Sequence, residues 1–190
     1  MVFEKSIIYF AEPGEGNTDR VLEAAKRRAE ELGIEDIVVA STLGGTGVKA
    51  VEAFKGYNVV IVTHSTGHRE PGKQELEESA DEKIRLGGGK VLTTGHAFAS
   101  VDRAVRRKFD TIGPADIVAQ TLRLLGEGMK VVVEIAAMAA DAGLIPSDKD
   151  IIAIGGSHRG ADTAVVIKPA NSSRLFDLVV REIIAKPSSL

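Results

Sequence analysis

All four histidines of the chain, His64, His68, His96 and His158, fall in polar, glycine-containing stretches that directly follow short apolar runs: "THSTGHREPG", "TTGHAFAS" and "GGSHRGADT". Imidazole exchanges protons near neutral pH, so His64 and His96 are the candidate general acid or base residues. A further stretch of the same kind, "STLGGTG" (41–47), joins an apolar run to a helical pattern and keeps hydroxyls and bare backbone while giving up side-chain bulk. Ser41, Thr42 and Thr46 supply hydroxyls. Gly44, Gly45 and Gly47 let an anion approach the amides at the positive end of the following helix, which is the chemistry of a phosphate site. "GTGVKA" (45–50) also fits G-x-G-x-x-A, but the next strand ends in "VTHST" and lacks the acid that would hold a ribose 2′-hydroxyl. Lys49 is followed by Ala50 and lacks the preceding glycine spacing of a Walker loop. The pattern therefore favours phosphate binding over a standard dinucleotide or Mg-nucleotide site, the bland alternative being a tight turn that needs glycine for geometry alone.

Two other chemistries are weighed on the same residues. His64 and His68 with Glu70, His96 or His158 offer nitrogen and oxygen ligands for metal-dependent hydrolysis. The spacing of "HSTGH" lies in a glycine-containing loop, where i, i+4 has no helical meaning, so no metal is expected. No G-x-S-x-G follows a strand, which argues against a serine hydrolase. The candidate ligand-binding set is then Asn17 and Thr18 after the first strand, Ser41, Thr42, Gly44, Gly45, Thr46 and Gly47 after the second, Thr63, His64, Ser65, Thr66, Gly67 and His68 after the third, and Thr94 and His96 after the fourth.

The elements that position these loops are legible as alternating patterns. Apolar, β-rich runs at 6–10, 36–40, 58–62, 90–94, 150–154 and 163–168 alternate with helical patterns at 17–32, 45–55, 72–86, 99–109, 115–142 and 172–185. The first five runs are continuous rather than alternating, as strands covered on both faces require. Strand and helix in alternation give an α/β, three-layer αβα fold with a mostly parallel sheet. The connection "GGSHRGAD" is too short for a crossover, so 163–168 runs antiparallel beside the fifth strand. Ligands of such sheets bind outside the carboxyl ends of the strands, where the polar loops collect. Asn17 or Thr18 is expected to cap the first helix and Gly33 to stop it. "GEG" (126–128) predicts a break or two helices in 115–142, whose second half, "VVVEIAAMAA", is expected to be the most buried helix.

Composition bounds the rest. With 190 residues, 44% hydrophobic, the chain is long enough for one well-buried core, and a single domain over 1–190 is expected. The net charge of −3, with basic residues at helical spacing beside acids, points away from nucleic acid. The absence of cysteine excludes a thiolate nucleophile and fits a cytoplasmic protein. The apolar run in "MVFEKSIIYFAEPGEG" is too short for a secretory signal, and Glu134 and Asp141 interrupt the most apolar later stretch, so no membrane association is expected.

Two stretches resemble the C-terminal domain of pyruvate kinase. "VVASTLGGTGVKAVEAF" is similar to that domain's second strand and phosphate loop, and "MAADAGLIPSDKDIIAIGGSHRGADTAVVIKPA" to its ending, with a helix, "AGL", a strand, a Gly-rich loop with "ADT" and an antiparallel strand. The resemblance extends over most of 6–170 and is vague between the two stretches. It implies that fold without the catalytic barrel, so kinase activity does not carry over. Stand-alone proteins of this type are associated with flavin mononucleotide, which the resemblance implies as the cofactor, its phosphate on "STLGGTG" and its ring towards "THSTGH" and "TTGHAF". A non-enzymatic sensor of a phosphorylated metabolite is the alternative implied by the same resemblance. Whether the chain forms a homo-oligomer stays open.

Overall fold

The computed structural model describes residue 2 and residues 4–189. Seven strands form one sheet: β1 (Ile8–Phe10), β2 (Asp36–Ala40), β3 (Asn58–Thr63), β4 (Lys90–Thr93), β5 (Ile151–Gly155), β6 (Thr163–Lys168) and β7 (Val179–Pro187). Their spatial order is β1-β7-β6-β5-β2-β3-β4. β6 runs antiparallel to both β5 and β7, while β1–β7, β5–β2, β2–β3 and β3–β4 are parallel pairs. The antiparallel placement of 163–168 beside the fifth strand is as the short connection requires.

The helices are α1 (Thr18–Leu32), α2 (Gly45–Ala53), α3 (Glu78–Leu86), α4 (Ser100–Phe109), α5 (Pro114–Arg123) and α6 (Glu127–Asp141). Alternate residues of the central strands feed opposite layers. Ile37, Val39, Ile61, Ile152 and Ile154 pack with Val21, Val51, Phe54 and Ile84 of the α1–α3 side. Val38, Val60, Val62, Ile151 and Ala153 pack with Ala119 and the α6 residues Met129, Val132 and Ala136. Both faces are therefore covered, which is why β2, β3 and β5 tolerate no polar interior position.

Three expectations are corrected. Residues 172–185 are not a helix: a 3-10 turn, Ser172–Asp177, leads into β7. "VVREII" is rich in β-branched residues, and the strand fills the place between β6 and β1, with Val180 and Ile183 packed on the α6 side and Ile184 on the α1 side. The helix expected over 72–86 begins only at Glu78. Asn17 occupies the N-cap position of α1 as expected, but neither it nor Thr18 caps the helix through its side chain, because Asn17 donates its amide to the Glu12 carbonyl at 2.8 Å and the Thr18 hydroxyl accepts the Ala161 amide at 3.0 Å. Gly33, at φ 64°, ends α1 as expected, and Gly126, at φ 116°, separates α5 from α6. α6 is buried along nearly its whole length, including Lys130 and Glu134.

Phe54, 1% exposed and edge-on to Tyr57 at 5.6 Å, closes the core under α2. Phe54→Ala is expected to cost about 3–5 kcal/mol in urea unfolding. Leu86→Ala, at a residue 82% exposed, should stay within about 0.5 kcal/mol.

Candidate functional site

The carboxyl ends of β2, β3 and β5 open into a cavity of about 860 Å³ that receives all four histidines. One wall is the loop between β2 and α2. Within it the Ser41 hydroxyl accepts the Gly47 amide at 3.0 Å, and both residues are buried, so they build the turn. Gly44 does the same: its φ is 104°, and a Cβ there would lie 2.3 Å from Ala80 Cβ. Gly47 is hemmed in by Ile61 and Ile84. Gly45 differs from both, since a Cβ there would meet nothing within 4 Å. Among the described residues the amides of Gly45 and Thr46 have no hydrogen-bond partner, whereas those of Gly47 and Val48 do.

Of the residues expected to bind ligand, Thr18, Ser41, Thr42, Gly45 and Thr46 line this cavity, as do Thr63, His64, His68 and His96. Thr63 spends its hydroxyl on Thr93 at 2.7 Å. Asn17, Gly44, Gly47, Ser65, Thr66, Gly67 and Thr94 lie outside the lining. Gly67 closes its own turn, its amide bonded to the Lys73 carbonyl at 2.8 Å, and Thr66 and Thr94 are exposed.

The imidazoles of His64, His68 and His96 form a stack, with centroids 4.0 Å apart for His64 and His68 and 4.9 Å for His68 and His96. Two carboxylates hold it from opposite sides. Glu75, in the segment before α3, meets His64 Nδ1 at 2.7 Å and is itself paired with Arg69 at 3.0 Å. Gln74 fastens this segment by donating to the His64 carbonyl at 3.1 Å. On the other side Glu134 of α6 accepts the Phe98 amide at 2.9 Å, pairs with Lys130, and faces His96 Nδ1 at 3.6 Å. Burial pushes the pKa of His64 down despite Glu75. Burial, followed by the charge of His64, lowers that of His68 to about 4. For Glu134 burial acts upward, but the hydrogen bond from His96 and the charge of Lys130 outweigh it and hold the carboxyl at about 2.

The far wall is the loop after β5. Asp162, fully buried, accepts the amides of Gly14 at 3.1 Å and Ser157 at 3.0 Å and the Thr163 hydroxyl at 2.8 Å. Gly160, at φ 75°, lets this loop touch the backbone of Glu15, where a Cβ would come within 2.3 Å. The "ADT" segment is thus the fastening of the loop, and it presents His158 and Arg159 to the cavity.

Sequence reasoning missed Glu75, Arg69, Arg103, Lys130 and Glu134. The signal for the last two was an i, i+4 charged pair inside an otherwise apolar helix; Glu75 and Arg103 fall in the helical patterns at 72–86 and 99–109, whose period does not single them out, and Arg69 falls in a loop. Among the described residues, no set of three or more His, Asp or Glu side chains is arranged to hold a metal ion. Rings that stack present faces to one another rather than converging lone pairs.

The model of the family "Pyruvate kinase, alpha/beta domain" matches residues 19–167. The chain belongs to this family. It is similar to a solved pyruvate kinase of Cryptosporidium parvum at 12% identity, covering 73% of this chain and 20% of that one with a TM-score of 0.37. A second pyruvate kinase structure from the same organism matches at 13% identity, 78% and 22% coverage and a TM-score of 0.41. The chain spans about a fifth of the length of these pyruvate kinases. Among the described residues no helix is long and apolar enough to cross a membrane.

The shifted groups of this pyruvate kinase alpha/beta domain predict its acid stability. His68 binds its proton at pH 6.5 when unfolded and only near about 4 when folded, so stability falls as the pH drops through that interval. Glu134, at about 2 when folded and 4.5 when unfolded, contributes stability that is present above 4.5 and lost as the pH falls towards 2. Urea unfolding followed by circular dichroism should show both declines. His68→Gln should shrink the first. Glu134→Gln should remove the second and cost about 3–5 kcal/mol at neutral pH, because Lys130 stays buried without its carboxylate.

Proposed function

We propose that the chain binds a phosphorylated small molecule in the carboxyl-edge cavity, and that this ligand is flavin mononucleotide. The observation that carries the phosphate half is the pair of unpartnered amides, Gly45 and Thr46, at the start of α2 and facing the cavity. Free amides and the helix dipole favour an anion there, and Lys49 stands one turn further along. The flavin half rests on the family resemblance and on fit. About 860 Å³ falls within the roughly 300–1,000 Å³ typical of ligand pockets. Val131, Ile135 and Met138 give the cavity an apolar wall for a ring system, and His64 and His68 offer flat faces and polar edges. A bound flavin would supply redox chemistry, while the chain's residues bind and orient it. The same anchor would serve a phosphorylated metabolite sensed without turnover.

Mass spectrometry of the small molecule released on denaturation, with the visible spectrum of the native protein, decides between them. Flavin mononucleotide gives a yellow protein and the corresponding mass; a colourless protein releasing another phosphate ester leaves only the phosphate half standing. Calorimetric titration of the released compound should lose about 1.5–3 kcal/mol or more in Gly45→Val, where the side chain crowds the amides without disturbing the core. Gly47→Val should instead destabilise the fold by about 1–3 kcal/mol, since it overpacks the contact with Ile61 and Ile84. Unchanged affinity in Gly45→Val would overturn the anchor.

A further inference from the structure

The four imidazoles of the cavity are not equivalent. His68 has both ring nitrogens against the Arg103 guanidinium, at 3.3 and 3.4 Å. His96 accepts the Ser65 amide on Nε2 at 3.4 Å and turns Nδ1 to Glu134. His158 is exposed, with no side-chain partner among the described residues. His64 combines three properties that the others lack together. Glu75, at 2.7 Å, holds a proton on Nδ1, so Nε2 carries the lone pair. Among the described residues that nitrogen's hydrogen-bond partner is the Thr42 hydroxyl alone, at 3.4 Å. The side chain is 27% exposed and lines the cavity, so a ligand atom can reach it.

We propose that His64 Nε2 is a phosphoryl acceptor and that the cavity catalyses phosphoryl transfer through a phosphohistidine. The inference rests on the phosphate half of the reading above, not on its flavin half, and adds the reacting atom. In the step, the Nε2 lone pair attacks phosphorus, the N–P bond forms, and the bond from phosphorus to the leaving group breaks, its electron pair departing with that group. Nδ1 keeps its hydrogen. The ring becomes cationic, and its charge faces the Glu75 carboxylate, which Arg69 pins from the other side at 3.0 Å. This is the arrangement in which a carboxylate fixes the tautomer of a nucleophilic or basic imidazole and stabilises its charged form. Arg69 and Arg103 flank the stack and favour an anionic substrate, and the Thr42 hydroxyl can donate to a phosphoryl oxygen. Burial lowers the pKa of His64 despite Glu75, which favours the neutral ring whose lone pair is free. Water or an acceptor hydroxyl attacking the phosphohistidine would return the imidazole to its starting state.

The test uses phosphoramidate as donor with the full chain at neutral pH, where ammonia is the leaving group. Intact-mass measurement, lability of the label in acid and its persistence in alkali, and peptide mapping locate the product. Calorimetric titration with inorganic phosphate runs in parallel, so that binding and reaction are read apart. We expect one acid-labile phosphoryl group on His64 in the wild type and none in His64→Asn, which still folds and still binds phosphate. Glu75→Gln should slow labelling by roughly tenfold or more while phosphate still binds, the scale of a lost orienting carboxylate. Bound phosphate without a label overturns the phosphohistidine and leaves the binding reading standing. So does an acid-stable label on Thr42, a label spread over His158, or a resident flavin that blocks labelling. Failure of both phosphate binding and labelling overturns the two together.

Discussion

Coverage of the sheet on both faces is the constraint from which the site follows. β2 lies between β3 and β5, and the interior residues of all three strands are buried against helices on either side. An uncompensated polar group there would cost several kcal/mol, so the chain confines its chemistry to strand ends. The parallel arrangement then sends the ends of β2, β3, β4 and β5 to one edge, and histidines far apart in sequence meet there. Three of the four sit in stacking contact although more than thirty residues separate His64 from His96.

Polar residues brought to that edge still need to be fixed, and two buried carboxylates do so. Asp162 ties the loop after β1 to the loop after β5, joining Gly14 and Ser157 through one side chain. Glu134 reaches from α6 to the Phe98 amide and faces His96. A carboxylate removed from water is tolerated only where its oxygens are fully hydrogen-bonded or paired. Both meet that condition, and Glu134 adds the buried Lys130. The cavity walls are therefore held by charged groups that cannot move without losing their partners, which is how a preorganised site is built on loops.

The parts of this arrangement legible in the sequence were those with a period or a short-range rule. The continuous apolar runs of β2, β3 and β5, the stop at Gly33 and the antiparallel β6 follow from such rules, as does the burial of α6. β7 was read as a helix because its apolar positions suit either period. Pairing with β6 on one side and β1 on the other decides the matter, and that is long-range information. In the site, the glycines of "STLGGTG" were legible as a group but not one by one. Gly44 and Gly47 serve packing against α3 and β3, and only Gly45 faces open space. Glu75 was invisible because the helical pattern over 72–86 does not single it out; its role arises from the fold of residues 64–75 back onto β3.

The same geometry explains why His64 and His68 resist protonation. Three imidazolium rings within 4.0 to 5.4 Å of one another, with Arg69 and Arg103 alongside, would repel strongly in a half-buried site. The two carboxylates are placed at the ends of the stack, at His64 and His96, and His68 in the middle has a guanidinium as its partner. Protonation is thereby disfavoured at the central ring. At the His64 end, Glu75 opposes burial and orients the ring, leaving a neutral imidazole whose free nitrogen points to Thr42. An imidazole held in one tautomer, beside cations and within a cavity, is suited to meet an anionic partner as a nucleophile or base rather than as a cation.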